Sequence, residues 1–334
     1  MNNKILAMLF AFSAAVLYAI NIPVSKILLQ YVPPVFMAAF LYLGAGFGMP
    51  LLSLFGKKDA QTQKLTKKEL PYTLAMIGLD IAAPIFLMTG LAGAHSANVS
   101  LLNNFEIAAT ALTALLVFKE KISFRMWIAI VLVSFSSMLL SFEGSASLRF
   151  SSGSLYVLAA CLCWGFENNC TKMLASKSTK QIVMLKGIFS GFGSLLIAFI
   201  LKEKLPPLTY VGYVLVLGFI AYGLSIFFYV RAQNGLGASK TSACYAASPF
   251  IGSLLSLILL KEPLSAYYLP ALLIMLIGTA FIVADTLILR HSHLHTHIIR
   301  RTYNGTTREY VIEHEHPHYH LLSHEAEHTH RFTD

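Results

Sequence analysis

"AGAHSANVSLLNNFEIAATALTALLVFKEKIS" (92–123) runs without a gap against "NGLGASKTSACYAASPFIGSLLSLILLKEPLS" (234–265). Each is an apolar stretch closing on a charged end: Lys119-Glu120 falls on Lys261-Glu262, and Ser123 on Ser265. A second match precedes it in each half. "AAVLYAINIPVSK" (14–26) aligns with "ACLCWGFENNCTK" (160–172), placing Tyr18 on Trp164, Ala19 on Gly165 and Lys26 on Lys172. Two matches in the same order, with matching charged ends, make the chain an internal repeat.

Composition says what the repeat is made of. Of 334 residues, 56% are hydrophobic and only 12% charged, about half the charged share of an ordinary soluble domain. Ten apolar runs of roughly 20 residues recur, each long enough to cross a hydrocarbon core of about 30 Å as a helix. They lie near 4–29, 33–55, 70–91, 96–118, 122–142, 153–175, 180–201, 208–231, 239–260 and 264–289. The first is too long for a signal peptide and lacks a small-residue cleavage site, so it reads as a mature helix. The expected fold is an all-α membrane protein of ten transmembrane helices in two repeats, 1–142 and 153–289, followed by a short polar tail, 290–334. Five spans per repeat is an odd number, so equivalent helices cross in opposite directions. Such inverted repeats place a substrate site near the midplane between the halves.

Positive charge orients the chain. With the N-terminus inside, 14 lysines and arginines fall on the cytoplasmic side, from Lys4 to Lys240. Five fall outside: Lys26, Arg149, Lys202, Lys204 and Lys261. This positive-inside bias predicts cytoplasmic N- and C-termini in the cell membrane. The net charge of +9 then implies an anionic lipid leaflet as partner, and no nucleic acid. All four cysteines (Cys161, Cys163, Cys170, Cys244) lie inside spans, where cysteine is a small apolar packer and a disulfide framework is not expected. The Asn304-Gly305-Thr306 sequon falls on the cytoplasmic side and carries no meaning there.

These residues resemble a known family. The Trp164-Gly165 segment ending in Lys172, the run Lys261-Glu262-Pro263-Leu264-Ser265 and its partner Lys119-Glu120 resemble a ten-helix member of the drug/metabolite transporter superfamily, EamA type. So do "QIVMLKGIFSGFGSLLIAFI" (181–200) and the Asn168-Asn169 pair. The resemblance covers residues 5–287. It implies a proton- or gradient-coupled carrier, or a facilitator, for small organic solutes, and it leaves the solute open. One departure stands out: where the second half has Ser248-Pro249, the first has Glu106-Ile107.

A charged side chain in mid-bilayer costs about 2.5–3.5 kcal/mol, so each invites a functional reading. Asn103, Glu106, Thr110 and Thr113 recur at helical spacing on one face, lining either a cavity or a hydrogen-bonded stripe between helices. Glu167 shares a face with Cys163 and Cys170, beside Asn168. It is placed to carry a coupling proton or to pair with Lys186 on the next helix, roles that are compatible. Asp80 precedes Pro84 by one turn, which frees its carbonyl toward protein or water. In the second half, Ser242, Tyr245, Pro249, Ser253 and Ser256 mirror the Glu106 face, and Tyr222, Ser225 and Tyr229 follow the same spacing; aromatic faces suit flat or cationic solutes, although they also serve packing. His95 reads as a loop residue, and Asp285 as interfacial. No Walker motif or Gly-rich dinucleotide loop is present, and there is no soluble domain for hydrolytic chemistry, so an enzyme is not expected.

The tail is a separate matter. Eleven of the 12 histidines lie between His291 and His330. His291, His293, His295 and His297 alternate, as do His314, His316, His318 and His320, and alternation gives a strand one histidine face. Asn304-Gly305 is the favoured pair for a two-residue hairpin turn. A turn there sets Tyr303 against Thr306, and so His295 against His314, His293 against His316 and His291 against His318. Paired imidazoles suit Zn²⁺, Ni²⁺ or Co²⁺, with Glu313 and Glu315 adding oxygen donors. Arg301 facing Arg308 opposes that register, and a lone hairpin is marginal in water, so the tail is expected to be ordered by metal; no cofactor is required elsewhere. Three functions remain: a secondary transporter of a small organic metabolite with a metal-binding tail, a divalent-metal carrier, or a membrane-bound metal sensor. A homodimer is an allowed assembly.

Overall fold

The computed structural model describes residues 3–53, 67–117, 119, 122–143, 149–174, 179–236, 241, 244–303 and 306–321. The chain divides into two compact units, Met1–Val283 and Ala284–Asp334.

In the first unit, α1 (Asn3–Ala19) and α2 (Asn21–Leu28) form one span interrupted at Ile20. The cause is local: Pro23 has no N–H to offer the carbonyl of Ala19. The second span is α3 (Pro34–Ser53). The third, α4 (Leu70–Gly93), carries Pro84 inside it without a break. The fourth is split into α5 (Ser96–Leu102) and α6 (Phe105–Leu116) at Asn103-Asn104. The fifth, α7 (Phe124–Leu140), starts under a Ser123 cap whose hydroxyl accepts from the Met126 amide. A two-residue ladder, β1 (Phe142–Glu143) with β2 (Arg149–Phe150), joins the halves.

The second half opens with α8 (Ser152–Lys172). The next span runs through α9 (Thr179–Leu185), a π-helical segment (Lys186–Ser190) and α10 (Gly191–Ile200). The one after it repeats that plan in α11 (Leu208–Gly218), a π segment (Phe219–Leu224) and α12 (Ser225–Leu236). A turn at Ala246-Ala247 precedes α13 (Ser248–Leu260), and α14 (Tyr268–Leu287) closes the bundle. The turn sits opposite the Asn103-Asn104 break in the repeat alignment, shifted by one residue. Both repeats therefore break their fourth span at mid-depth.

Six of these helical stretches are long and apolar enough to span a membrane, and three shorter apolar helices accompany them among the described residues. The remaining span, α8, misses that description because it carries Glu167, Asn168, Asn169 and Thr171. The bundle reverses the soluble pattern. Leu208 (84%) and Phe124 (79%) are among many large apolar side chains exposed on its outside, as a lipid solvent permits. Its interior is rich in alanine and serine. Serine hydroxyls clip neighbouring helices together: Ser225 to the Ala14 carbonyl (2.9 Å), Ser248 to Ala15 (2.9 Å), Ser253 to Ala97 (2.9 Å) and Ser136 to Ala271 (2.6 Å). Small residues and hydroxyls hold helices together where lipid competes for every apolar contact.

The charged ends do equally specific work. Lys119, Lys202 and Lys261 all adopt left-handed backbone, with φ of 55°, 55° and 51°. The residue after Lys202, Glu203, accepts from the amides of Val35 (3.1 Å) and Phe36 (3.0 Å) at the start of α3. The residue after Lys261, Glu262, accepts from both the amide and the hydroxyl of Ser96 (2.7 Å each) at the start of α5. Beside it, the Lys26 ammonium donates to the carbonyls of Leu91 (2.7 Å), in the last turn of α4, and of Ala94 (2.8 Å), just after it. Each side chain meets a helix terminus of opposite partial charge. The Leu-Lys-Glu motif thus ends one helix and caps another.

In the second unit, β3 (Ile288–Tyr303) and β4 (Thr306–Leu321) form an antiparallel ladder. Its backbone register pairs Tyr303 with Thr306, Arg301 with Arg308, His295 with His314, His293 with His316 and His291 with His318. That is the register an Asn304-Gly305 turn requires; those two residues lie outside the described ones.

Two glycines show how tightly α3 is held. A Cβ on Gly44 would stand 2.1 Å from the Leu215 carbonyl oxygen, and one on Gly218 would stand 2.1 Å from that of Leu41. Backbone, which cannot rotate away, fills both places. A methyl on Gly78, by contrast, would meet nothing within 4 Å. Gly44→Ala should therefore lower thermal stability in detergent by about 1–3 kcal/mol or more. Gly78→Ala should raise it slightly, since alanine is the better helix former by about 1 kcal/mol. Size-exclusion after a heat ramp reads both, and a matching response in the two variants would contradict the packing.

Candidate functional site

The backbone irregularities converge on one set of side chains. The α1–α2 interruption presents Asn21, whose amide donates to the Tyr222 hydroxyl (3.0 Å) while its carbonyl accepts from Ser25 (3.1 Å). Tyr222 belongs to the second π segment. Its ring meets Tyr18 edge-on (5.8 Å between centroids) and Tyr42 at a tilt (5.6 Å). Tyr18 also contacts Tyr245 (5.6 Å), which meets Tyr229 (5.1 Å). Rings from both repeats thus form one tyrosine cluster.

Beside the cluster lies a buried ionic network. The Lys186 ammonium, in the first π segment, is 2.8 Å from a Glu167 oxygen and 3.2 Å from Asp80. The Tyr42 hydroxyl donates to the other Asp80 oxygen (3.0 Å) and receives a bond from the Trp164 indole (3.4 Å). Thr171 donates to Glu167 from one turn away. Asp80 is fully buried and Glu167 nearly so. With all three ionised, two carboxylates and one ammonium carry a net charge of −1. A π bulge widens the helix by one residue and re-aims its side chains, and here one bulge presents Lys186 and the other Tyr222.

The third element is Glu106 in the first turn of α6. The Asn168 amide donates to it (2.8 Å) and to Thr110 (3.2 Å), and Asn169 bonds the carbonyls of Thr110 (3.0 Å) and Gly165 (2.9 Å). A Cβ on Gly165 would strike the Ala109 backbone (2.7 Å), so glycine is what lets α8 come close enough for these bonds.

The structure brings Asp80, Glu167 and Lys186 together, and joins Glu106 to Asn168. Tyr222 and Tyr245 enter the same aromatic cluster. Asn103 is different. The continuous helix that would align it with Glu106 is interrupted, and its buried Oδ1, like both amide atoms of Asn104, has no hydrogen-bond partner among the described residues. Ser225 donates to the Ala14 carbonyl and also makes a side-chain hydrogen bond with Tyr245, and Ser242 lies outside the described residues. Cys163, Glu167 and Cys170 do not make a metal site: among the described residues no group of three His, Cys, Asp or Glu is close enough to hold an ion. Of the tail, the described feature is the backbone pairing of His291, His293 and His295 with His318, His316 and His314. The H-E-x-x-H spelling at 314–318 falls on β4 with a proline inside, which denies it the helical geometry of a zinc protease; the one at 324–328 lies outside the described residues.

Tyr42, Tyr18 and Asn21 are site residues that residue-type reasoning passes over, yet the repeat points to two of them. The alignment that sets Tyr18 on Trp164 also sets Asn21 on Glu167 and Ser25 on Thr171. Both pairs make the same hydroxyl-to-side-chain bond one turn apart. Extending the second alignment backward sets Asp80 on Tyr222. The two halves therefore contain one contact twice, as neutral Asn21–Tyr222 and as charged Glu167–Lys186–Asp80.

Known proteins share this plan. The model of the EamA-like transporter family matches residues 5–142 and again 151–284. An uncharacterized transporter from Methanothermobacter thermautotrophicus is 26% identical over 272 residues, covering 76% of this chain and 79% of its own. A solved structure described only as the crystal structure of a protein superposes with a TM-score of 0.62 at 17% identity, over 84% of this chain and 96% of that one, a likeness of fold. With the family pattern met twice, once in each half, the chain belongs to the EamA-like transporters and is a multi-pass membrane transporter of the drug/metabolite type.

Proposed function

We propose that the protein is a secondary transporter of a small organic solute in the cell membrane, with both termini cytoplasmic, working by alternating access. The observation that carries this reading is the tyrosine cluster. It is built from both repeats, lies where the helices are irregular, and is flanked by carboxylates and an ammonium that could otherwise have been apolar. Irregular backbone at membrane depth occurs where it is buried in protein or lines a cavity, and inverted repeats rock about such a centre. Among the described residues Asn168 donates to the Glu106 carboxylate, and we assign that carboxylate the coupling role. We further propose that the tail binds Zn²⁺, Ni²⁺ or Co²⁺ through His291, His293, His295, His314, His316 and His318 as a sensor or buffer. The paired backbone register supports this second part.

Proteoliposomes test both parts. Full-length protein and a chain ending at Leu289 should both exchange organic solutes down an imposed gradient, with neither moving Zn²⁺ or Ni²⁺. Tight Zn²⁺ binding should be confined to the full-length chain. Metal flux that survives truncation would make the metal the cargo and the histidines its collector. In the same assay Glu106→Gln should reduce solute flux about tenfold or more with membrane insertion intact. Undiminished flux would move the coupling role to Glu167.

A further inference from the structure

The ionic network borders a cavity of about 80 Å³ lined by Tyr42, Ala45, Val183, Lys186, Tyr222 and Ile226, among others. That is room for roughly five or six water-sized groups. Lys186 is the one charged residue in this lining; the rest is aromatic or aliphatic. Its side chain is 21% exposed, whereas Asp80 is at 0% and Glu167 at 2%. Lys186 therefore lines the cavity, and its two counterions are buried behind it.

The two carboxylates are not held alike. Glu167 keeps a donor in Thr171 if the ammonium moves. Asp80 keeps Tyr42 on one oxygen, but its buried Oδ2 has no aligned hydrogen bond and depends on the ammonium 3.2 Å away. The titratable groups facing Asp80 are Tyr42 from α3, Glu167 from α8 and Lys186 from the π segment. Nor does the fold require ions here, because Asn21 and Tyr222 fill the equivalent positions with a single neutral bond.

We propose that this cavity takes a short-chain organic monocarboxylate, and that its binding loads one proton onto Asp80. The proposal rests on the carrier reading above and names its substrate class. The substrate carboxylate enters as an anion and pairs with the Lys186 ammonium, its hydrocarbon body against Val183, Ile226 and the rings of Tyr42 and Tyr222. The ammonium turns away from Asp80, whose Oδ2 is left buried and unpaired. A carboxylate in that position is neutralised rather than left charged. It takes up one proton from the buffered medium, which is left one proton poorer, forming an O–H bond at Oδ2, while Glu167 remains ionised on Lys186 and Thr171. One anion and one proton are bound together, so the loaded site has the same net charge as the empty one.

The test uses full-length protein in detergent, weakly buffered near neutral pH with an indicator dye, and propionate as the probe against equal chloride. Wild type should bind propionate saturably and take up about one proton per anion, with a protonated-carboxyl infrared band rising in step. Lys186→Gln should weaken binding at least about tenfold and abolish uptake. Asp80→Asn should still bind propionate but take up no proton. Absence of propionate binding, equal binding by Lys186→Gln, or uptake persisting in Asp80→Asn would each overturn the proposal. If a variant fails to fold, absence of the infrared band in wild type, or a band that shifts with ¹³C-carboxyl propionate, overturns the proposal. Flux of other organic solutes without propionate binding would leave the carrier reading standing and remove this one.

Discussion

Hydrocarbon offers no hydrogen bonds, and the whole bundle is organised around that lack. Each helix end or interruption at depth must find its partners within the protein. Glu203 and Glu262 satisfy the first amides of α3 and α5, and Lys26 satisfies carbonyls at the end of α4. Serine hydroxyls meet carbonyls across helix contacts. What the backbone cannot satisfy locally is gathered at the centre, where the two π segments and the broken fourth spans meet. The functional region is thus where the constraint is hardest to meet.

Repeat symmetry separates structure from chemistry at this centre. Asn21–Tyr222 and Glu167–Asp80 occupy equivalent positions and link equivalent helices. The neutral pair costs little to bury. The charged pair needs an ammonium between its members, and isolating any of the three would leave an uncompensated charge at a cost of several kcal/mol. A fold that can do without ions on one side and keeps them on the other has been shaped there by something other than stability.

Much of this was legible in the sequence. Ten spans follow from hydropathy, α8 among them although Glu167, Asn168 and Asn169 lower its apolar character, and the repeat sets them in two fives. Lys186, Asp80, Glu167 and Glu106 stand out as charges among apolar neighbours. What was not legible is which of them meet. Asp80 and Lys186 are on different helices, and no spacing rule joins them. The Asn103-Asn104 interruption was equally hidden: the first half lacks the proline that Pro249 supplies to the second. Pro84, conversely, leaves α4 continuous. Tyr42 escaped because it lies in an apolar run with no polar neighbour one turn away, so its role exists only in three dimensions.

The glycine contacts of α3 bear on how the halves can move. At Gly44 against Leu215, Gly218 against Leu41 and Gly46 against Gly187, main chain lies on main chain with no side chain between. Such a contact cannot be compressed, and there is no side chain to change rotamer and open it by degrees. Side chains key into the same faces, with the Phe219 ring over Gly48 and Leu43 over Gly191. The second span is therefore tied at main-chain distance to the two spans whose π segments present Lys186 and Tyr222, and Tyr42 cannot shift independently of them.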